Sequence, residues 1–216
     1  MTTLTLDEAT IGAGLGAVVP ALSLTVAPGA PTVIAVETDE RPLLVSMLLG
    51  GRIKADSGHV LIDGRGDDDA LRAAVALVDT PFVAEPPAEI PLALVIAEEF
   101  SFSSRPSSSR DVLDFLRRHG VAEYARLPVR SLPPVDRIRL LTELAVSRPQ
   151  VSAIVLTSPE RHGTDPARWY GLLEQVAERG IAVAIVTDEP TAALLLTLGA
   201  TDAAALTSTP AQNGAS

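Results

Sequence analysis

Residues 31–51, PTVIAVETDERPLLVSMLLGG, limit what this chain can fold into more than any other stretch. Thr32 to Val36 is a short apolar run enriched in β-branched residues, which predicts a buried strand. The polar residues Glu37 to Glu40 break it. Leu43, Leu44, Met47 and Leu48 then recur at helical spacing up to Gly50-Gly51, a helix C-terminal signal. A strand, a tight loop and a helix in this order form the unit that cradles phosphate on backbone N–H groups in many nucleotide-binding proteins. This loop has the wrong chemistry for that task. It has no glycine between Ala35 and Met47, and it carries Glu37, Asp39 and Glu40. The stretch predicts a phosphate-binding scaffold that lacks its phosphate site.

Similar strands and helices recur along the chain. AVALV (74–78), SAIVL (152–156) and IAVAIVT (181–187) predict further buried strands. Asp111 to His119 predicts a short helix stopped by Gly120. Pro133-Pro134 precede a helix whose Val135, Ile138, Leu141 and Ala145 share a face. Asp165-Pro166 is a helix start, an N-cap with proline at the first position; Trp169, Leu172, Leu173 and Val176 form its apolar stripe. Pro190 to Leu198 predicts a last helix closed by Gly199, and AAAL (203–206) a last strand. LTL (4–6) and LSLTV (22–26) alternate as half-buried antiparallel strands do, and HVLI (59–62) ends in the turn pair Asp63-Gly64. RGDDDA (65–70) reads as solvated. Segment 81–110 is rich in proline and serine, with one apolar stretch, PLALVIAEEF, between linkers. Together these predict an α/β fold with a mainly parallel sheet flanked by helices, an N-terminal antiparallel β part and a reduced helical insertion at about 81–134. One domain over 1–206 and a disordered tail over 207–216 complete the expected layout.

Composition narrows the partners. The formal charge is -10, with Lys54 the one lysine, which argues against nucleic acid or an anionic membrane surface. Cysteine is absent, so disulfides and thiolate metal sites are excluded. Ile11 to Val36 carries no charge, but its glycines, Pro20, Pro28 and Pro31 fit two strands and a turn, not a membrane span. Asp7 and Glu8 stand where a signal peptide would be positive. The expectation is a soluble, cytoplasmic chain.

This layout resembles the ATP-binding subunit of ABC transporters over nearly the whole chain. LSLTVAPG (22–29) resembles the lead into the family's phosphate-loop strand, and DSGHVLIDG (56–64) is the most specific match. VAEYARLPVRSL (121–132) resembles the approach to the signature sequence. Arg148-Pro149 with SAIVL resembles the approach to the Walker B strand, and ERGIAVAIVT (178–187) the strand before the switch histidine.

The resemblance also implies where nucleotide chemistry should sit, and each such position departs from the family pattern. The phosphate loop falls on Val36 to Leu43, with Glu37, Asp39 and Glu40 in it and Arg41 at the lysine position. At about 6 Å and an effective dielectric near 20, each carboxylate–phosphate charge pair costs roughly 2–3 kcal/mol. The magnesium-holding glutamine falls near Asp79-Thr80. The signature falls on Leu132 to Asp136, where Pro133 and Pro134 remove N–H groups. The Walker B aspartate and glutamate fall on Thr157 and Ser158, and the switch histidine on Asp188. No aromatic residue precedes Phe82 to stack on adenine. The implied function is a catalytically inactive ABC-ATPase-like subunit, structural or regulatory, with no cofactor and no metal. Its implied partner is a membrane permease, another transporter subunit or a second copy of itself, met at the inner face of the membrane without insertion.

The alternative is a small α/β enzyme or nucleotide binder that retains weak nucleotide or metal binding. Gly12 to Ala17 (GAGLGA) fits the dinucleotide pattern, but Pro20 and a strand follow instead of a helix, which favours a loop. IVTDEPT (185–191) matches a Walker B strand literally, yet too little chain follows it; Asp188-Glu189-Pro190 reads mainly as a strand end and helix start. Ser158, His162 and Asp165 are hydrolase-triad residue types without a nucleophile elbow. His59 and His119 read as ordinary strand and helix-end residues.

Overall fold

The computed structural model describes residues 1–37, 41–103 and 105–203. Alternation in the first strands produces one inward face. In β1 (Leu4–Ile11) Leu4, Leu6 and Ala9 are buried, and in β2 (Val19–Val26) Val19, Leu22, Leu24 and Val26. β1 lies between β2 and β4 (Ser57–Ile62) in an antiparallel three-stranded sheet, Leu4 opposite both Val26 and Ile62. The β1 register shifts around Glu8, whose φ is +49°, and Gly58 passes directly over it. A Cβ on Gly58 would lie 2.2 Å from the Glu8 carbonyl oxygen.

The second sheet is parallel. Its strands are β3 (Thr32–Ala35), β5 (Val75–Val78), β6 (Ala153–Thr157), β7 (Ala182–Thr187) and β8 (Thr201–Ala203), in the order β5-β6-β7-β3-β8. On one face, Val45, Leu48 and Leu49 of α1 (Arg41–Leu49) pack with Val155, Ala184 and Val186 and with the antiparallel sheet. On the other, α5 (Pro134–Val146), α6 (Pro166–Glu178) and α7 (Glu189–Thr197) cover Ile154, Leu156, Val183 and Ile185. A third core joins α3 (Leu92–Phe102) and α4 (Ser109–Arg118) through Leu92, Ile96, Phe100, Phe115 and Leu116. Leu140 and Leu144 of α5 enter this third core, while its Ile138, Leu141 and Ala145 enter the sheet core. One helix therefore carries the α3–α4 pair on the sheet.

Several sequence expectations need correction. RGDDDA is largely exposed, as expected, and also starts a helix: Asp67 accepts from the N–H of Asp69 and Ala70 and caps α2 (Asp68–Ala74), so the following strand begins at Val75. PLALVIAEEF is a packed helix, and Arg105, in the stretch read as a linker, lies 4.1 Å over the Phe100 ring. β1 continues five residues beyond LTL, to Ile11. β8 starts at Thr201, and 204–216 lie outside the described residues, including the end of AAAL and the expected tail. The uncharged stretch from Ile11 forms strands and turns; among the described residues no helix is long and apolar enough to cross a membrane.

Gly58→Ala combines a positive φ of +74° with a backbone clash. Urea denaturation should show a larger loss than Asp67→Ala, which removes a cap worth about 1 kcal/mol. Equal or smaller loss would place Gly58 elsewhere.

Candidate functional site

Ligands of open parallel sheets sit beyond the carboxyl ends of the strands. Here those ends carry Asp79-Thr80 after β5, Thr157-Ser158 at β6, Thr187-Asp188 at β7 and Val36-Glu37 after β3.

Asp79 dominates one side. It is 5% exposed, has φ +53°, and receives a bidentate guanidinium from Arg137 of α5, at 2.8 Å to Oδ2 and 2.6 Å to Oδ1. His162 Nε2 lies 2.7 Å from Oδ2 and Arg161 Nη2 3.3 Å from Oδ1. Arg161 also donates to the backbone carbonyls of Asp79 and Thr157. Glu85 lies 3.6 Å from Arg137 and 3.5 Å from Arg161. Burial pushes the Asp79 carboxyl up, but hydrogen bonds from Arg137 and His162 and the two guanidinium charges outweigh it and hold it well below the usual carboxylate range. Burial likewise lowers the Arg137 guanidinium, and its bonds to Asp79 more than reverse that.

In the middle, three hydroxyls fill the space between strands. Thr157 Oγ1 donates to Ser46 Oγ at 2.8 Å and lies 2.8 Å from Thr80 Oγ1, all three buried. Because the single Thr157 proton goes to Ser46, Thr80 is the donor in the second bond. Beyond them Glu160 accepts from Thr187 Oγ1 at 2.6 Å. Burial raises the Glu160 carboxyl, the Asp188 charge adds to this, and the Thr187 bond opposes it.

The sequence-predicted residues fall around this edge. Arg41 opens α1 and pairs with Glu37; Asp39 and Glu40 lie outside the described residues. Thr157 ends β6 and Ser158 follows at φ +46°. Asp188 caps α7, its Oδ1 2.8 Å from the Thr191 N–H, as a strand end and helix start requires. Pro134 is the first residue of α5 and Pro133 its cap, accepting the Arg137 N–H through its carbonyl. Gly12 to Ala17 is the β1–β2 connection with a 3-10 turn, and the Gly12 N–H is held by Asp56. The triad residue types do not meet: the carboxylate on His162 is Asp79, while Asp165 caps α6. His59 is exposed on β4, and His119 caps α4 against Phe115 at 4.4 Å, its pKa lowered first by burial. Sequence reasoning missed Arg137 and Arg161, whose common signal is the Asp79 carboxylate they reach after folding, and Glu85, which faces both. Among the described residues no cluster of acidic and histidine side chains could hold a metal ion.

A strand followed by a helix within a five-stranded parallel sheet, with an antiparallel sheet on one face and a helical unit to one side, defines an α/β protein of two sheets. Its particular form is the ATP-binding cassette fold. A putative ABC transporter ATP-binding protein from Pyrococcus furiosus matches with TM-score 0.64 at 12% identity, over 87% of this chain and 92% of that one. A nucleotide-free ATP-binding cassette from an ABC transporter matches with TM-score 0.66 at 16% identity, over 90% and 85%. The cbiO1 protein of Clostridium perfringens, part of the ABC transporter complex cbiONQ, matches with TM-score 0.59 at 18% identity, over 86% and 78%. No protein-family model and no curated protein sequence matches the chain.

Two pH-dependent outcomes follow from the carboxyls. Asp79 has a depressed folded pKa, so its stabilisation is full above the unfolded carboxylate value, about 3.9, and is lost as pH falls below it. Asp79→Asn should lose about 3–5 kcal/mol at neutral pH, as for a broken buried pair, and lose less further stability on acidification. Glu160 has a raised pKa, so it destabilises the fold once pH passes through its folded value. Thermal melts of Glu160→Gln should gain on wild type more at pH 8 than at about pH 4. A gain independent of pH would refute the burial account.

Proposed function

We propose that this chain is a catalytically inactive, cassette-like subunit of an ABC-type transport complex, with a structural or regulatory role. The observation that carries this reading is that the chain's own groups occupy the carboxyl edge of the sheet. Phosphoryl transfer needs a glycine-rich loop, a lysine and magnesium to position and neutralise the phosphates. Here Arg41 is engaged by Glu37, and Thr157 is bound to Ser46 and Thr80. Thr157 and Ser158 supply neither a metal-binding carboxylate nor a general base. Asp188 is committed to capping α7. Pro133 and Pro134 offer no N–H to a γ-phosphate.

Family members sandwich ATP between the phosphate loop of one subunit and the signature of the other. With Glu37–Glu40 in one and Pro133-Pro134 in the other, pairing with a competent ATPase would disable both composite sites. We therefore read residues 1–206 as one domain that caps, anchors or regulates a complex. Its partner is a membrane permease, another cassette subunit or a second copy of this chain, and its place is the cytoplasmic face of the membrane. Segment 86–130, which includes α3 and α4, resembles in chain position the family's helical region, and we assign it the docking role.

The purified chain should release phosphate from MgATP no faster than a blank. Rewriting 86–110 should abolish the complex that co-purifies from the native host, while Arg41→Ala leaves it intact. Release of the partner by Arg41→Ala, with 86–110 dispensable, would move the interface to the old nucleotide face.

A further inference from the structure

Two buried donors on α5 have no acceptor. Thr142 is 2% exposed, and its hydroxyl makes no hydrogen bond, not even to the preceding helical turn. One turn earlier the Arg139 Nε–H is buried and equally unpartnered, although Nη2 of the same side chain reaches Asp136. Both residues line a pocket of about 70 Å³ between the end of α4, α5 and α6. His119 enters it from α4, Glu143 from α5, and Leu172, Gln175 and Val176 from α6. A buried donor without a partner costs free energy, so folded proteins ordinarily supply one.

The surrounding charges decide which kind of partner fits. Arg118 of α4, Arg139 of α5 and Arg179 after α6 act on His119, against the carboxylate of Glu143. Arg179 holds that carboxylate at Oε1, 2.6 Å away, and Asp136 takes up part of the Arg139 charge from outside the pocket. Three guanidinium groups thus meet two carboxylates, a balance that favours an anion over a cation. Burial lowers the His119 imidazole ahead of these charges, so it is neutral at pH 7 and free to take a proton when an anion arrives. Pockets for organic ligands run to about 300 Å³ or more, so this one suits a single small ion.

We propose that the pocket binds a small tetrahedral oxyanion, sulfate or free phosphate, on the Thr142 hydroxyl, the Arg139 Nε–H and the His119 ring. An ion held there ties the end of α4 to α5 and α6. The pocket shares no residue with the strand-end cluster, and the proposal does not depend on the inactive-subunit reading.

The test is calorimetric titration of the full chain with sodium sulfate at fixed ionic strength. Sulfate keeps its charge between about pH 6 and pH 8, so pH acts through the protein. One saturable site is expected, several-fold tighter at the lower pH, because a protonated His119 adds a donor and a charge. His119→Gln should remove that pH dependence. Thr142→Val and Arg139→Lys each delete one donor, keeping volume or charge, and should each weaken binding about tenfold or more. Arg110→Gln, an exposed cation outside the pocket, should leave binding unchanged. Thr142→Val should also raise the thermal midpoint in sulfate-free buffer, by removing an unsatisfied hydroxyl, and lose that gain in sulfate. Glycerol phosphate should bind about tenfold more weakly than phosphate, since the pocket has room for the ion alone. Absence of a saturable site, an affinity that ignores pH, equal loss with Arg110→Gln, or affinities untouched by Thr142→Val and Arg139→Lys would overturn the proposal. So would equal binding of glycerol phosphate, which points to a phosphoryl group of a larger molecule. A midpoint lowered by Thr142→Val equally with and without sulfate would assign the hydroxyl to a resident water and overturn it as well.

Discussion

The bidentate pair between Arg137 and Asp79 is the interaction on which the candidate site depends. It joins the end of β5 to the first turn of α5, and through Arg161 and His162 it holds the segment that follows β6. Moving two charges out of water is costly, and the Coulomb attraction offsets that only when the remaining donors and acceptors are satisfied. Asp79 meets this condition, with contacts to both carboxylate oxygens and to its carbonyl. Because α5 packs on the sheet and on the α3–α4 pair, fixing its N-terminal end also fixes how that helical unit sits.

The same cluster governs what the sheet edge can do. Charges that could have faced a ligand face one another, and the hydroxyls of Ser46, Thr80 and Thr157 satisfy one another in a buried chain. Among the described residues no group of acidic and histidine side chains there could hold a metal ion. Burial drives the Glu160 carboxyl toward its neutral form, and Thr187 donates a hydrogen bond to it. The fold is that of an ATP-binding cassette, and in the proposed reading the chain's own side chains take up the strand ends.

Much of that frame was legible in the sequence. The runs that became β3, β6 and β7 are apolar throughout because both sheet faces are covered, and Asp165-Pro166 and Asp188-Glu189-Pro190 mark helix starts as N-caps do. Glu37, Asp79, Thr157 and Asp188 end or follow apolar runs, so their place at strand ends could be read, whereas Pro133-Pro134 mark a helix start. The interactions there could not. Arg137 and Asp79 are 58 residues apart, and Arg137 sits beside the apolar stripe of its helix, where a charge ordinarily reads as exposed. The helix start at Asp67 could not be read because acidic residues favour both loops and helix N-termini, and only the Asp67 side-chain bonds decide between them. The α3 run carries apolar residues around most of its circumference, since one side packs in the third core and another lines a cleft beside α5.

The central claim is that this edge is closed to nucleotide by groups of the chain itself. The most direct measurement is a thermal-denaturation series of the full chain across millimolar MgATP. A midpoint that does not move with MgATP concentration is expected. A ligand present at 100 times its dissociation constant adds about 2.7 kcal/mol of stability. A saturable rise of that size would show that nucleotide enters the site and would contradict the account.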